Sequence, residues 1–216
     1  MSHSPFYDWI DHRLAAERQL VEIARITGLG QGRMLEFGCG DGAYLAYFQS
    51  RGWECLGVAD DPDCAKAAFD EYQVLMITGH PAEAGIPRSS YDLIRIRGLL
   101  SYDEHPEKTL QAAFAAAAPT GYLIAEIWNG SGWPVLPASC AVKRTFNRES
   151  FSAIIAQSGF EPGGVIAPEM GDPVWAPYKA NSGGQPFILK KWIDKIQGFF
   201  DRGSLLILFA QKPPAT

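Results

Sequence analysis

Hydrophobic positions along the chain fall into two alternating rhythms. Over residues 14–26, Leu20, Ile23, Ala24 and Thr27 follow helical spacing, and the glycines at 28 and 30 supply a stop. A short apolar run, MLEF at 34–37, predicts a first strand, and GAYLAYFQSRG at 42–52 predicts a helix that Gly52 ends. WECLGVA at 53–59 predicts a second strand. The helix after it, residues 60–72, has Asp61 suited to the N-cap and Pro62 to the first helical position. QVLMITG (73–79), YDLIRIR (91–97) and GYLIAEIW (121–128) read as further strands, with a Pro106-initiated helix before the last of them. Residues 147–159 predict a helix capped by Asn147 and stopped by Gly159. FEPGGVIAP (160–168) and SLLILFAQK (204–212) complete the series as strands six and seven.

Strands alternating with helices imply an α/β fold, a parallel sheet wound on both faces. At 216 residues the chain fits one domain, residues 1–216, opening with a helical segment over 1–30. Two connections, 128–146 and 168–202, are longer than an α/β unit needs. Both leave the carboxyl edge of the sheet, where open α/β sheets bind ligands, so both are candidates to build an acceptor pocket. That they only cover the sheet stays open.

Composition narrows the partners. Net charge is −5 with no Lys or Arg stripe, which argues against nucleic acid. No apolar run reaches the ~18–20 residues that span a bilayer, and the start MSHSPFYDWIDHR is not built like a secretory signal. The cysteines at 39, 55, 64 and 140 form no CxxC pair, which speaks against a metal site and for a reduced, cytoplasmic setting.

The chemistry concentrates in MLEFGCGDGAYL, residues 34–45. A glycine-rich turn between a strand and a helix lets a ligand approach the backbone closely. Gly38, Gly40 and Ala43 satisfy the dinucleotide pattern GxGxxG/A, but a lone match is weak. Glu36 argues otherwise: beside phosphates a carboxylate is unfavourable, whereas S-adenosylmethionine offers an ammonium and a sulfonium and no phosphate.

LEFGCGDG resembles motif I of the class I S-adenosylmethionine-dependent methyltransferases, in which an acid precedes GxGxG. CLGVADDPDCAKAA, the segment from YDLIRIRGLL through GYLIAEIWN, TFNRESFSAIIAQSGFEP and GSLLILFAQKP resemble the family's later elements in order, covering roughly residues 30–213. The resemblance implies a Rossmann-like, mostly parallel seven-stranded sheet with an antiparallel last strand. It assigns Glu36, Gly38, Gly40 and Gly42 to the methionine end of the cofactor, and Gly79 and His80 to the adenine. Arg97 and Gly98 would lie beside the sulfonium, and Tyr7 and Arg13 resemble an N-terminal pattern that folds over the cofactor in some relatives.

Two departures stand out. Where the family has its ribose-binding acid the chain has Ala59, so Asp60 is the substitute expected, with Asp61 serving as helix cap. Where relatives often read LLEH, this chain reads LLSY, so Tyr102 replaces a histidine and no catalytic base is assigned. His105, Glu104 and Tyr102 are candidates should the acceptor be a hydroxyl. Tyr102, Trp128, Asn129 and Trp133 would form aromatic walls with one amide, suited to a flat small molecule. The expected activity is methyl transfer to a small-molecule acceptor. The alternatives are a methyltransferase-like binding protein without catalysis and a nicotinamide dehydrogenase.

Overall fold

The computed structural model describes residues 9–129, 142–166 and 205–215. Tyr7, Trp133 and the 168–202 connection lie outside them. The chain starts with helix α1 (Trp9–Thr27) and then alternates: β1 (Arg33–Phe37), α2 (Ala43–Ser50), β2 (Glu54–Ala59), α3 (Pro62–Tyr72), β3 (Leu75–Thr78) and β4 (Tyr91–Arg97). A 3-10 turn (Leu99–Ser101) precedes α4 (Pro106–Ala116) and β5 (Ala117–Trp128). After β5 come α5 (Arg148–Gln157), β6 (Glu161–Ile166) and β7 (Leu205–Gln211).

The seven strands form one sheet in the order β3-β2-β1-β4-β5-β7-β6, with β7 antiparallel to both its neighbours. This is the Rossmann-like, mostly parallel sheet expected. The order reverses between β1 and β4, so the glycine turn after β1 opens at a topological switch point. β5 starts four residues earlier than its apolar pattern, at Ala117, because Tyr91 of β4 pairs with Ala117 before a register shift.

Local chemistry explains the helix starts. Asp61 accepts the Asp63 amide at 2.9 Å with Pro62 in the first turn, and Asn147 and Ser150 form a reciprocal capping box at α5. Strand alternation sends side chains into two cores. Leu35, Phe37, Ile94, Ile96, Leu123 and Ala125 pack with α4 and α5. Met34, Leu93, Ile124 and Ile207 pack under α1 and α2 with Tyr44, Leu45 and Phe48. Glu36, Arg95 and Glu126 share the alternation of this second set, so three charged side chains sit on a buried face.

Candidate cofactor site

The turn after β1 is built by backbone hydrogen bonds and left-handed residues. The Gly38 amide donates to Val58 O at 3.1 Å and the Gly42 amide to Cys39 O at 3.1 Å. Gly38, Gly40 and Gly42 have φ of 77°, 56° and 78°, which side-chain-bearing residues avoid. Their surroundings differ. A Cβ on Gly38 would stand 2.9 Å from Arg97 O, and one on Gly42 would stand 2.6 Å from Met76 Cε and 2.8 Å from Ala68 Cβ. A Cβ on Gly40 would meet nothing within 4 Å. Two of the three glycines therefore satisfy the protein's own packing, and Gly40 alone faces open space. Gly79, at the end of β3 with φ 124°, also has nothing within 4 Å of an added Cβ.

Beneath the turn, Glu36 is fully buried. Its Oε1 accepts a bond from Arg95 Nη1 at 3.1 Å, while its Oε2 is buried without a hydrogen-bond partner. Arg95 is held in turn by Glu126, whose Oε1 accepts from Nε at 3.0 Å and from Nη2 at 2.6 Å. The Tyr44 ring covers the guanidinium at 3.8 Å, and the Tyr44 hydroxyl donates to Gln19 Oε1 on α1. Burial raises the Glu36 pKa to about 7; Arg95 opposes the shift, and Glu126 and Asp41 add to it. Burial works against the charge on Arg95 as well, but Glu126, Tyr44 and Glu36 more than offset it and keep the guanidinium protonated.

Around this centre the other expected residues divide. Asp60 is exposed at the end of β2, beside the buried Ala59. Arg97 and the left-handed Gly98 end β4, and the Gly98 amide donates to Glu126 O at 2.9 Å. His80 is engaged within the protein: its Nδ1 accepts the Ala82 amide at 3.2 Å, which assigns the proton to Nε2. Nε2 faces Asp103 Oδ1 at 3.3 Å. Asp103 also accepts from Thr109 Oγ1 at 2.5 Å and from the His105 amide at 2.8 Å.

Among the residues expected to face an acceptor, the indole Nε1 of Trp128 donates to the Tyr102 hydroxyl at 2.7 Å, joining the ends of β5 and β4. Ser101 stitches the neighbouring backbone, accepting the Trp128 amide on Oγ and the Lys143 and Arg144 amides on its carbonyl. Asn129 is buried and bridges to Phe146. Glu104 pairs with Lys143 at 2.5 Å, and His105 is more than half exposed beside Glu107. Among the described residues, no group of three or more His, Cys, Asp or Glu could hold a metal ion, and no helix is long and apolar enough to cross a membrane.

Arg95, Glu126, Asp103 and Thr109 went unassigned in the sequence. The available signal was charge within otherwise apolar strands, Arg95 between Ile94 and Ile96 and Glu126 between Ala125 and Ile127.

The family described as a methyltransferase domain matches residues 9–163. Solved structures share the fold at low identity. An S-adenosylmethionine-dependent methyltransferase from Thermotoga maritima, a possible histamine N-methyltransferase, is 19% identical with a TM-score of 0.65, over 94% of this chain and 92% of that one. An S-adenosylmethionine-dependent methyltransferase from Mesorhizobium loti is 16% identical with a TM-score of 0.66, over 92% and 98%. The [4+2]-cyclase SpnF is 17% identical with a TM-score of 0.65, over 92% and 82%, so this fold also hosts other reactions. No curated protein matches the chain by sequence. The family match covers most of the chain and includes the glycine turn. The chain belongs to the methyltransferase domain family and is a class I enzyme that uses S-adenosylmethionine.

Proposed function

We propose that the enzyme methylates a small-molecule acceptor by in-line transfer at the carboxyl edge of the sheet, between the glycine turn and the Tyr102–Trp128 pair. One observation carries the reading. Glu36 Oε2 is buried, lacks a hydrogen-bond partner, and lies at the end of the strand that feeds the turn. A buried carboxylate oxygen in that state is costly unless a donor arrives, and an ammonium group is the donor that fits it best. The open space over Gly40 suits close approach of the same ligand.

In this reading Glu36 receives the amino group of the cofactor, and Gly38, Gly40 and Gly42 shape the loop around its methionine end. Asp60, exposed at the end of β2, takes the ribose hydroxyls in place of the acid missing at Ala59. Gly79 leaves room for the adenine, and His80, fixed by Asp103 and Ala82, presents its ring rather than a free nitrogen. Arg97 and Gly98 border the sulfonium. When bound, the cofactor supplies an activated methyl group. The protein's task is then alignment and exclusion of water, which together can account for roughly 7–11 kcal/mol of barrier lowering.

Tyr102, Trp128 and Asn129 line the acceptor side; Trp133, assigned to the same set from the sequence, lies outside the described residues. The exposed or paired states of His105 and Glu104 support neither as a general base. The net charge of −5 supports a partner other than nucleic acid, and the free thiols Cys39, Cys55 and Cys64 support a cytoplasmic setting. The test is titration calorimetry with S-adenosylmethionine and its demethylated product, NAD serving as control, followed by product detection on an acceptor panel. Saturable binding lost in Gly40→Val, with turnover on at least one small molecule, is the expected result. Binding without turnover on any acceptor overturns the small-molecule assignment.

A further inference from the structure

Arg95 and Glu126 sit at positions where a buried strand would ordinarily carry aliphatic side chains. Arg95 is opposite Glu36 in the β1–β4 register, and both are under 2% exposed. The guanidinium spends Nη1 on one oxygen of Glu36, and Nε and Nη2 on Glu126. Tyr44 covers one face of the guanidinium. The carboxylate of Glu36 is therefore divided, one oxygen tied down within the protein and the other buried and unpartnered.

We propose that Arg95 and Glu126 are positioning residues of the cofactor site, holding Glu36 by Oε1 so that Oε2 is presented to the ammonium group of the ligand. The proposal rests on the reading that Glu36 receives that group. Its chemistry follows from the charges around Glu36. Arg95 on β4 favours the ionised carboxylate, while Glu126 on β5 and Asp41 in the glycine turn disfavour it. Tyr44 on α2 and the Cys39 thiol are buried and stay protonated, and Arg97 lies one alternation beyond Arg95 on β4. Near neutral pH the free enzyme holds a proton on a fraction of Glu36 carboxyls. Arrival of a cation removes that proton to solvent. Removing Arg95 or Glu126 shifts this balance in opposite directions.

The experiment is calorimetry with the full chain and both sulfur ligands from pH 5.5 to 7, where the ligand's amino group stays largely charged. At pH 7, two buffers of different ionisation enthalpy count the protons. In the unaltered enzyme, affinity rises about 15-fold across this range, and up to about half a proton is released at pH 7. Glu36→Gln flattens the profile and weakens binding. Arg95→Met moves the midpoint to higher pH, with affinity at pH 7 falling about 10-fold or more. Glu126→Gln moves it to lower pH, so binding at pH 6 becomes several-fold tighter.

A purely structural role predicts weaker binding in both variants with no movement of the midpoint, and that result overturns the proposal. If Arg95→Met does not fold, Glu126→Gln decides alone, because tighter binding at acid pH is the opposite of a lost structural bond. If Glu36→Gln matters but neither partner variant shifts the midpoint, the positioning role fails and the Glu36 reading stands. If Glu36→Gln changes nothing, the reading of Glu36 fails and the proposal falls with it.

Discussion

His80 and Asp103, 23 residues apart, meet with the imidazole Nε2 3.3 Å from the carboxylate and join the loop after β3 to the turn before α4. Burial opposes ionisation of Asp103, but bonds from Thr109, the His105 amide and His80 outweigh it and hold its carboxyl below the usual range. The native state thus binds that proton less readily than the unfolded chain. The resulting stability is complete above about pH 4 and is lost as pH falls through the native value. Asp103→Ala leaves three donors unsatisfied and is expected to cost about 2–3 kcal/mol, a loss of roughly 5–10 °C in Tm at pH 7. The difference from the unaltered protein should shrink in acid. Thermal melts at pH 7 and pH 3 check both.

Glu36 produces the opposite pH dependence in the free enzyme. Its carboxyl titrates near 7 in the folded state against 4.5 unfolded, so the native protein binds the proton more tightly. Stability from this group is present below about pH 4.5 and declines as pH rises to 7, by roughly 3 kcal/mol at most. In Glu36→Gln that decline should disappear. Denaturant unfolding of the two proteins at pH 5 and pH 7.5 measures it. Equal pH slopes would mean that Glu36 ionises normally.

The three glycines of the turn are expected to respond differently to alanine. At Gly40 the cost is the left-handed backbone, about 1–2 kcal/mol, and the new methyl enters open space, where the proposed function has the ligand approach. Fold survives and cofactor affinity falls. At Gly38 the added carbon collides with Arg97 O, and at Gly42 with Ala68 Cβ, so stability falls further than at Gly40. Paired melting and calorimetry separate the two behaviours.

Asp60 and Asp61 differ in the same way. Asp61→Ala removes the α3 cap and should cost about 1 kcal/mol of stability with little change in cofactor affinity. Asp60→Ala should leave the melting temperature in place and weaken cofactor binding. A reversal of that pattern would place the ribose contact at Asp61.

Trp128→Phe keeps an aromatic wall but removes the donor to the Tyr102 hydroxyl. Cofactor affinity should hold, while kcat/KM for the methylated acceptor drops on the order of 10-fold. Steady-state kinetics with a binding titration test this directly. Loss of cofactor affinity would assign the pair to the other side of the site.

The element order, the caps at Asp61 and Asn147, and the glycine turn were legible because each rests on local chemistry. A capping oxygen acts two or three residues away, and strand and helix periods show within a few residues. The start of β5 at Ala117 was not legible, because its pairing with Tyr91 crosses 26 residues. Nor was the division of labour among the glycines. All three share a left-handed backbone, but only the packing of Ala68, Met76 and the Arg97 carbonyl separates structural glycines from the open one.

The sequence by itself determined an α/β chain with a carboxylate ahead of a glycine turn, because backbone preference and hydrophobic period act locally. Only the tertiary structure decided what that carboxylate would be. In YDLIRIR the arginines alternate with isoleucines, a pattern that on one sheet face would equally suit solvent. Packing α2 over that face buries Arg95 under Tyr44 and brings in Glu36 from 59 residues away and Glu126 from 31. A buried carboxylate must find a partner or take up a proton. Which of these Glu36 does depends on three strands meeting at one point, and no single stretch of the chain contains that information.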